Sequence, residues 1–153
     1  MSVPGLITDF LPIIIRQVSG VMSDEEMQAQ LDATASELRR ADVAGLKTVT
    51  IIDLSQAAAA TATQREMQSD WLARHDEELR RVSLGTAFVV RSQIVRGGLT
   101  AIFWLRPLPL DYTITTSLDA ALEWAIDRLR VRGIRPPDRL VRGRARALLD
   151  LTA

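Results

Sequence analysis

The chain has 153 residues, 47% of them hydrophobic and 25% charged, with 19 basic and 19 acidic side chains and no formal net charge. This composition predicts one soluble globular domain around one core and argues against disorder of the whole chain. Cysteine is absent and His75 is the only histidine, which excludes disulfides, thiolate metal sites, cysteine nucleophiles and any centre that needs two imidazoles.

No basic residue precedes the first apolar run, so the N-terminus makes a poor secretory signal. The longest apolar runs, Leu11–Ile15 and Ala101–Leu105, are too short to span a bilayer. A cytoplasmic protein without a membrane span is expected. Charge is unevenly spread. Residues 1–129 hold 12 Lys/Arg against 17 Asp/Glu, a balance of −5, and residues 130–153 hold 7 against 2, a balance of +5.

In chain order, residues 1–10 form a lead-in with a candidate edge strand at Leu6–Phe10. Leu11–Val18 (LPIIIRQV) is a strand bounded by Ser19–Gly20, with Pro12 at its start. Ser23 and Glu26 form a capping box that opens a helix, Met27, Leu31, Ala35 and Leu38 give that helix a core face, and Gly45 marks its exit. Lys47–Asp53 (KTVTIID) is rich in β-branched residues and reads as a central strand buried on both faces. A polar turn over Leu54–Gln56 and a small-residue connection over Ala57–Ala62 lead to a second long helix, Thr63–Val82, with Met67, Trp71, His75, Leu79 and Val82 in one stripe. Thr86–Arg91 is the next inner strand.

Ser92–Leu105 combines a capping serine and helical spacing at Ile94, Val95, Leu99, Ile102 and Phe103 with strand-like composition over Thr100–Leu105. A helix is favoured, weakened at Gly97–Gly98 by up to about 2 kcal/mol relative to two alanines. Pro107 and Pro109 end it. Asp111–Thr115 is a short strand, and Ser117 caps a last helix, Leu118–Arg130, with Ala121, Trp124, Ala125 and Leu129 inward. The expected fold is α/β: β-α-β-α-β-α-β-α with a central, mostly parallel sheet of four to five strands flanked by helices. It covers residues 1–131. Residues 132–153 form a basic arm, flexible or a short helix.

Several of these stretches resemble STAS-like (anti-sigma-factor-antagonist-like) proteins, in particular small bacterial members of unknown function. The matching features are the early strand ending at Gly20 before an acidic helix start, IIDLS at Ile51–Ser55, Arg65 and Trp71 in the following helix, and AFVV with Arg96–Gly97 beyond it. SLDAALEW, with Ser117, Asp119, Ala121 and Trp124, completes the set. The similarity covers roughly residues 8–130 and implies an STAS-like sheet. In phospho-switch members a D-S-S-G turn follows the strand and its second serine is phosphorylated. The corresponding residues here are Thr61, Ala62, Thr63 and Gln64. The Asp and Gly are missing and a hydroxyl survives at Thr63, as in a degenerate switch.

Candidate sites follow from the residues themselves. Thr61 and Thr63 are phospho-acceptor candidates at a helix start, with Arg65 able to contact a phosphate. The simpler role is capping, by Thr63-x-x-Glu66 or by Thr61-x-x-Gln64. Asp53 and Ser55 lie at a strand end that can meet a partner, although an Asp there more often accepts hydrogen bonds from the next turn. His75 reads as a partly buried ring beside Trp71 rather than a general base. Gly97–Gly98 reads as a close helix–sheet approach or a mobile lid. Ile102, Phe103, Trp104 and Leu105 are either a partner surface or lid, or a buried closure of the sheet edge. Arg139, Arg142, Arg144 and Arg146 of the arm lack interleaved aromatics, which argues against nucleic-acid recognition.

No residue set here makes an enzyme, and no metal or cofactor is expected. The leading expectation is a non-enzymatic protein-interaction module whose partner is another protein or a second copy of the chain. The alternatives are a small-ligand or lipid-binding domain, similar to the CRAL-TRIO carriers, and nonspecific nucleic-acid binding through the arm.

Overall fold

The computed structural model describes residues 3–141. Its elements are β1 (Leu6–Phe10), β2 (Ile13–Gly20), α1 (Asp24–Ala44), β3 (Thr48–Ala57), α2 (Ala62–Arg74), α3 (Asp76–Val82), β4 (Ser83–Val89), α4 (Gln93–Leu105), β5 (Tyr112–Thr115) and α5 (Leu118–Val131). The five strands form one mixed sheet in the order β1-β2-β3-β4-β5. The β1–β2 pair is antiparallel and the other three pairs are parallel.

A parallel strand followed by its crossover helix places the helix on a fixed side of the sheet. The two faces are therefore covered differently. Ile13, Ile15, Val49, Ile51, Ala87 and Val89 point to one face, where α5 buries Ala121, Leu122, Ala125, Ile126 and Leu129 against them. Val and Ile strands packed by an alanine-bearing helix allow close approach and give a dry aliphatic core. Leu140, in a helical turn that starts at Asp138, is buried in the same core. The described part of the arm is thus packed, and Arg139 lies over the Phe10 ring at 5.3 Å. Arg142, Arg144 and Arg146 lie outside the described residues.

The opposite face carries two cross-strand rows. One is Ile14, Thr50 and Thr86; the next is Arg16, Ile52, Phe88 and Ile114. The helices on this side keep a core of their own, in which Met27, Leu31, Ala35 and Leu38 of α1 meet Trp71 and Leu72 of α2 and Leu79 and Val82 of α3. No strand residue belongs to that cluster. α4 adds a small cluster of its own on this side, Val95 and Leu99 against Phe88 and Val90.

The structure corrects several sequence expectations. β3 does not turn at Leu54 but runs on to Ala57, because β2 extends to Gly20 and pairs with it (Ser19 with Gln56, Gly20 with Ala57) across an irregularity in register. The expected single helix Thr63–Val82 breaks at His75. There Asp76, Glu77 and Glu78 start α3, three carboxylates at the positive end of a new helix dipole. α2 begins at Ala62, one residue before the expected Thr63. Pro12 sits in the β1–β2 turn rather than in a strand. Trp124 is half-buried, its indole lying where a Cβ on Gly85 would come within 2.6 Å of it.

Candidate functional site

Between the threonine-and-arginine face of the sheet and the helical layer lie two adjoining hollows. Their water-accessible volumes are about 60 and about 80 Å³, and both open to solvent. Arg16, Ile52, Gln68, Phe88, Leu99 and Ile102 line both. The first runs beneath Trp71, Leu79 and Leu108, with Thr34, Thr50 and Thr86 on its walls. The second reaches Gly20, Met22, Ala57 and Thr61, at the carboxyl ends of β2 and β3. In open α/β sheets that end is where ligands are met.

Arg16 stands where the hollows join. It is 6% exposed, and burial pushes its guanidinium down to about 10, which still leaves it charged at neutral pH. Its Nε and Nη2 donate to Gln30 Oε1 at 3.4 and 3.3 Å. Nη1 has no hydrogen-bond partner among the described residues, and no carboxylate pairs with the group there. An unpaired buried cation is disfavoured by several kcal/mol relative to water.

Gln30 is held by its other end. Its Nε2 donates to Gln17 O at 3.0 Å and to Pro4 O at 3.3 Å, so Oε1 is turned to the guanidinium. This needs a glycine at position 5, where φ is +81° and a Cβ would come within 2.3 Å of Gln17 O and 2.5 Å of Gln30 Nε2. Thr34 donates to Gln30 O and Trp71 Nε1 to Leu31 O.

Of the residues singled out from sequence, Thr61, Gly98, Ile102 and Phe103 line the hollows, and the others described fall around them. Asp53 Oδ1 accepts from Ser55 N–H at 3.0 Å and Ser55 Oγ at 2.6 Å, so both are spent on each other inside the strand. Thr61, not Thr63, caps α2. Its Oγ1 accepts from Gln64 N–H while Gln64 Oε1 accepts from Thr61 N–H. Gln64 Nε2 also reaches Met22 O and Asp24 Oδ1, which ties the start of α2 to the start of α1 and explains why this box wins. Thr63 is exposed on the first turn of α2, and Arg65 is turned away to Ala60 O at 2.8 Å.

The Ile102–Leu105 stretch divides. Ile102 is buried on the hollow and Phe103 packs on Phe88 and Tyr112 with ring centroids at 5.5 and 5.0 Å, while Trp104 and Leu105 face outward. His75 stacks on Trp71 at 4.8 Å. Gly97 and Gly98 have no atom within 4 Å of where a Cβ would stand, so close approach to the sheet is not their reason.

Arg16 and Gln30 were not among the sequence candidates. The signal was available. A charged residue following three isoleucines, in a strand of a parallel sheet covered on both sides, has no route to solvent. Among the described residues no group of three or more His, Asp and Glu side chains is placed to hold a metal, and no helix is long and apolar enough to cross a membrane. No family model matches the chain, and no curated protein matches it in sequence.

Proposed function

We propose that this chain is a non-catalytic binding domain that holds a small amphiphile with an anionic head, the head opposite Arg16 and the apolar part among Ile52, Phe88, Leu99 and Ile102. The observation that carries this is the buried guanidinium of Arg16, unpaired by any described carboxylate, on the wall of a mainly apolar hollow. An anion entering there meets a group that is already desolvated, so the contact is stronger than the same pair at a surface. The other polar groups lining the space near it are threonine hydroxyls and Gln68. These orient a head group but take no proton at neutral pH, which favours binding over chemistry. The resemblance to STAS-like proteins agrees with a binding role.

Decanoate and decanol separate the charge from the chain. Decanoate is expected to raise the melting temperature, by the equivalent of about 2.7 kcal/mol at a hundredfold excess over its Kd, and decanol to raise it less. Arg16→Gln is expected to remove the difference. No shift with either probe, or an unchanged preference in Arg16→Gln, would overturn the proposal.

A second reading, the protein-interaction module at the β3–α2 corner, is favoured by one observation: Thr63 is exposed and its hydroxyl is not used by the cap. If it is correct, Thr63→Asp and Thr63→Ala differ in partner affinity.

A further inference from the structure

Charge inside the two hollows is confined to one group. Among the described residues that wall them, Arg16 is the only one with an ionised side chain. His75 stacks on Trp71 but lines neither hollow. A guanidinium donates from Nε and from both Nη atoms, and Gln30 Oε1 takes up Nε and one N–H of Nη2. Nη1 keeps both of its N–H groups. Among the described residues the fully occluded side-chain polar atoms without a partner are Thr48 Oγ1 and Glu78 Oε1, so Nη1 is not occluded and opens on the hollow. The edge that it shares with Nη2 matches the two oxygens of a planar carboxylate.

The mouth of the second hollow supplies no further cation. It reaches the start of α2 at Thr61, where Thr61 Oγ1 and Thr61 O already accept from the Gln64 and Arg65 N–H groups. Gln64 Nε2 donates to Asp24 Oδ1 at 3.2 Å, so a carboxylate already stands at that end. The Arg65 side chain is turned to Ala60 O. A head group with one negative charge is therefore matched by Arg16. A head group with two would leave the second in a mainly apolar space with nothing opposite it, and an unmatched buried charge is strongly disfavoured.

We infer that the interior site selects its ligand by charge: it takes an apolar chain that ends in a single negative charge, an ionised carboxylic acid, and rejects the doubly charged form of a phosphate monoester. The inference rests on the binding reading above and names the head group which that reading leaves open. Arg16 supplies the one countercharge. Gln30, by filling the Nε edge with a neutral amide, leaves the Nη edge to the head group.

Calorimetric titration of the full chain with decyl phosphate and with decanoate, at about pH 5.5 and about pH 8, tests this, because a phosphate monoester loses its second proton near pH 6. Decanoate is ionised at both values and serves as the reference. The titration of His75 falls in the same range and acts on both probes alike, so the ratio of the two affinities is read. The affinity for decyl phosphate relative to decanoate is expected to fall about tenfold or more at the higher pH. Gln68→Lys, which adds a cation at a half-buried position on both walls, is expected to recover most of that loss. A ratio that does not change with pH overturns the inference while leaving an anionic head in place. A loss that Gln68→Lys leaves untouched also overturns it, since the rejection would then be one of shape. Binding of neither probe at either pH would remove the binding reading itself, and the inference with it.

Discussion

Gln30 presents its Oε1 to Nε and Nη2 of Arg16 at 3.4 and 3.3 Å, in the position where a carboxylate would ordinarily stand. A neutral amide orients the guanidinium without cancelling its charge. The guanidinium therefore stays available to an anion, at the expense of stability. Arg16→Met is expected to leave stability unchanged within about 1 kcal/mol or to raise it, because a buried unpaired charge is exchanged for an apolar chain. Urea unfolding measures this. A loss of 3 kcal/mol or more, the range seen when a buried charge network is broken, would make Arg16 a structural residue.

Gly97 and Gly98 occupy the middle of α4 with open space where a side chain would sit. Each Gly→Ala substitution is expected to stabilise the protein by about 0.5–1 kcal/mol through helix propensity alone. If α4 must move to admit a ligand, the doubly substituted protein will also take up decanoate more slowly in stopped-flow mixing. Faster unfolding of either variant would mean that the glycines answer a constraint outside the helix.

The two threonines at the start of α2 have separate fates. Thr61→Ala removes the cap and is expected to be destabilising by about 1 kcal/mol. Thr63→Ala, at an exposed position, is expected to change stability by less than about 0.5 kcal/mol. Denaturant midpoints of the two variants distinguish them. Equal losses would show the helix start to be shared between the two hydroxyls.

His75 carries a pH dependence. Burial pulls its imidazole below the ordinary 6.5; Glu78 and Asp32 oppose this, and Arg74 and Arg39 add to it. The unfolded chain thus binds the proton first as pH falls. Stability from this group is complete above 6.5, declines as pH drops through that value, and levels once the folded imidazole is also protonated. Thermal melts are expected to show a decline that begins as pH falls below about 7. His75→Phe, which keeps a ring on Trp71, is expected to flatten it.

Much of the architecture was legible because it rests on local signals. Ser23, Ser92 and Ser117 each cap the helix that their sequence context predicts, and Gly45 ends α1 in the left-handed conformation. The misplaced boundaries have tertiary causes. Leu54–Gln56 reads as a turn in isolation and becomes strand only because β2 lies alongside. Thr63-x-x-Glu66 is as good a capping box as Thr61-x-x-Gln64 until Met22 and Asp24 arrive to bind Gln64. The interior site was hidden for a related reason. Arg16, Gln30 and Gly5 are far apart in sequence, and only the β1–β2 hairpin packed beside α1 brings them together.

The strand order has a consequence for assembly. Every neighbour in the sheet is also the next strand in the chain, so no strand has to be inserted between two that are already paired. A chain emerging from the ribosome can add one strand and its helix at a time to a single growing edge, with short loop closures throughout. β1 and β2 precede β4 and α4 in the chain, so the strand that carries Arg16 is synthesised before the elements that enclose it. If the sheet grows in that order, the guanidinium can stay hydrated until the closing elements arrive, and its desolvation falls on those last steps.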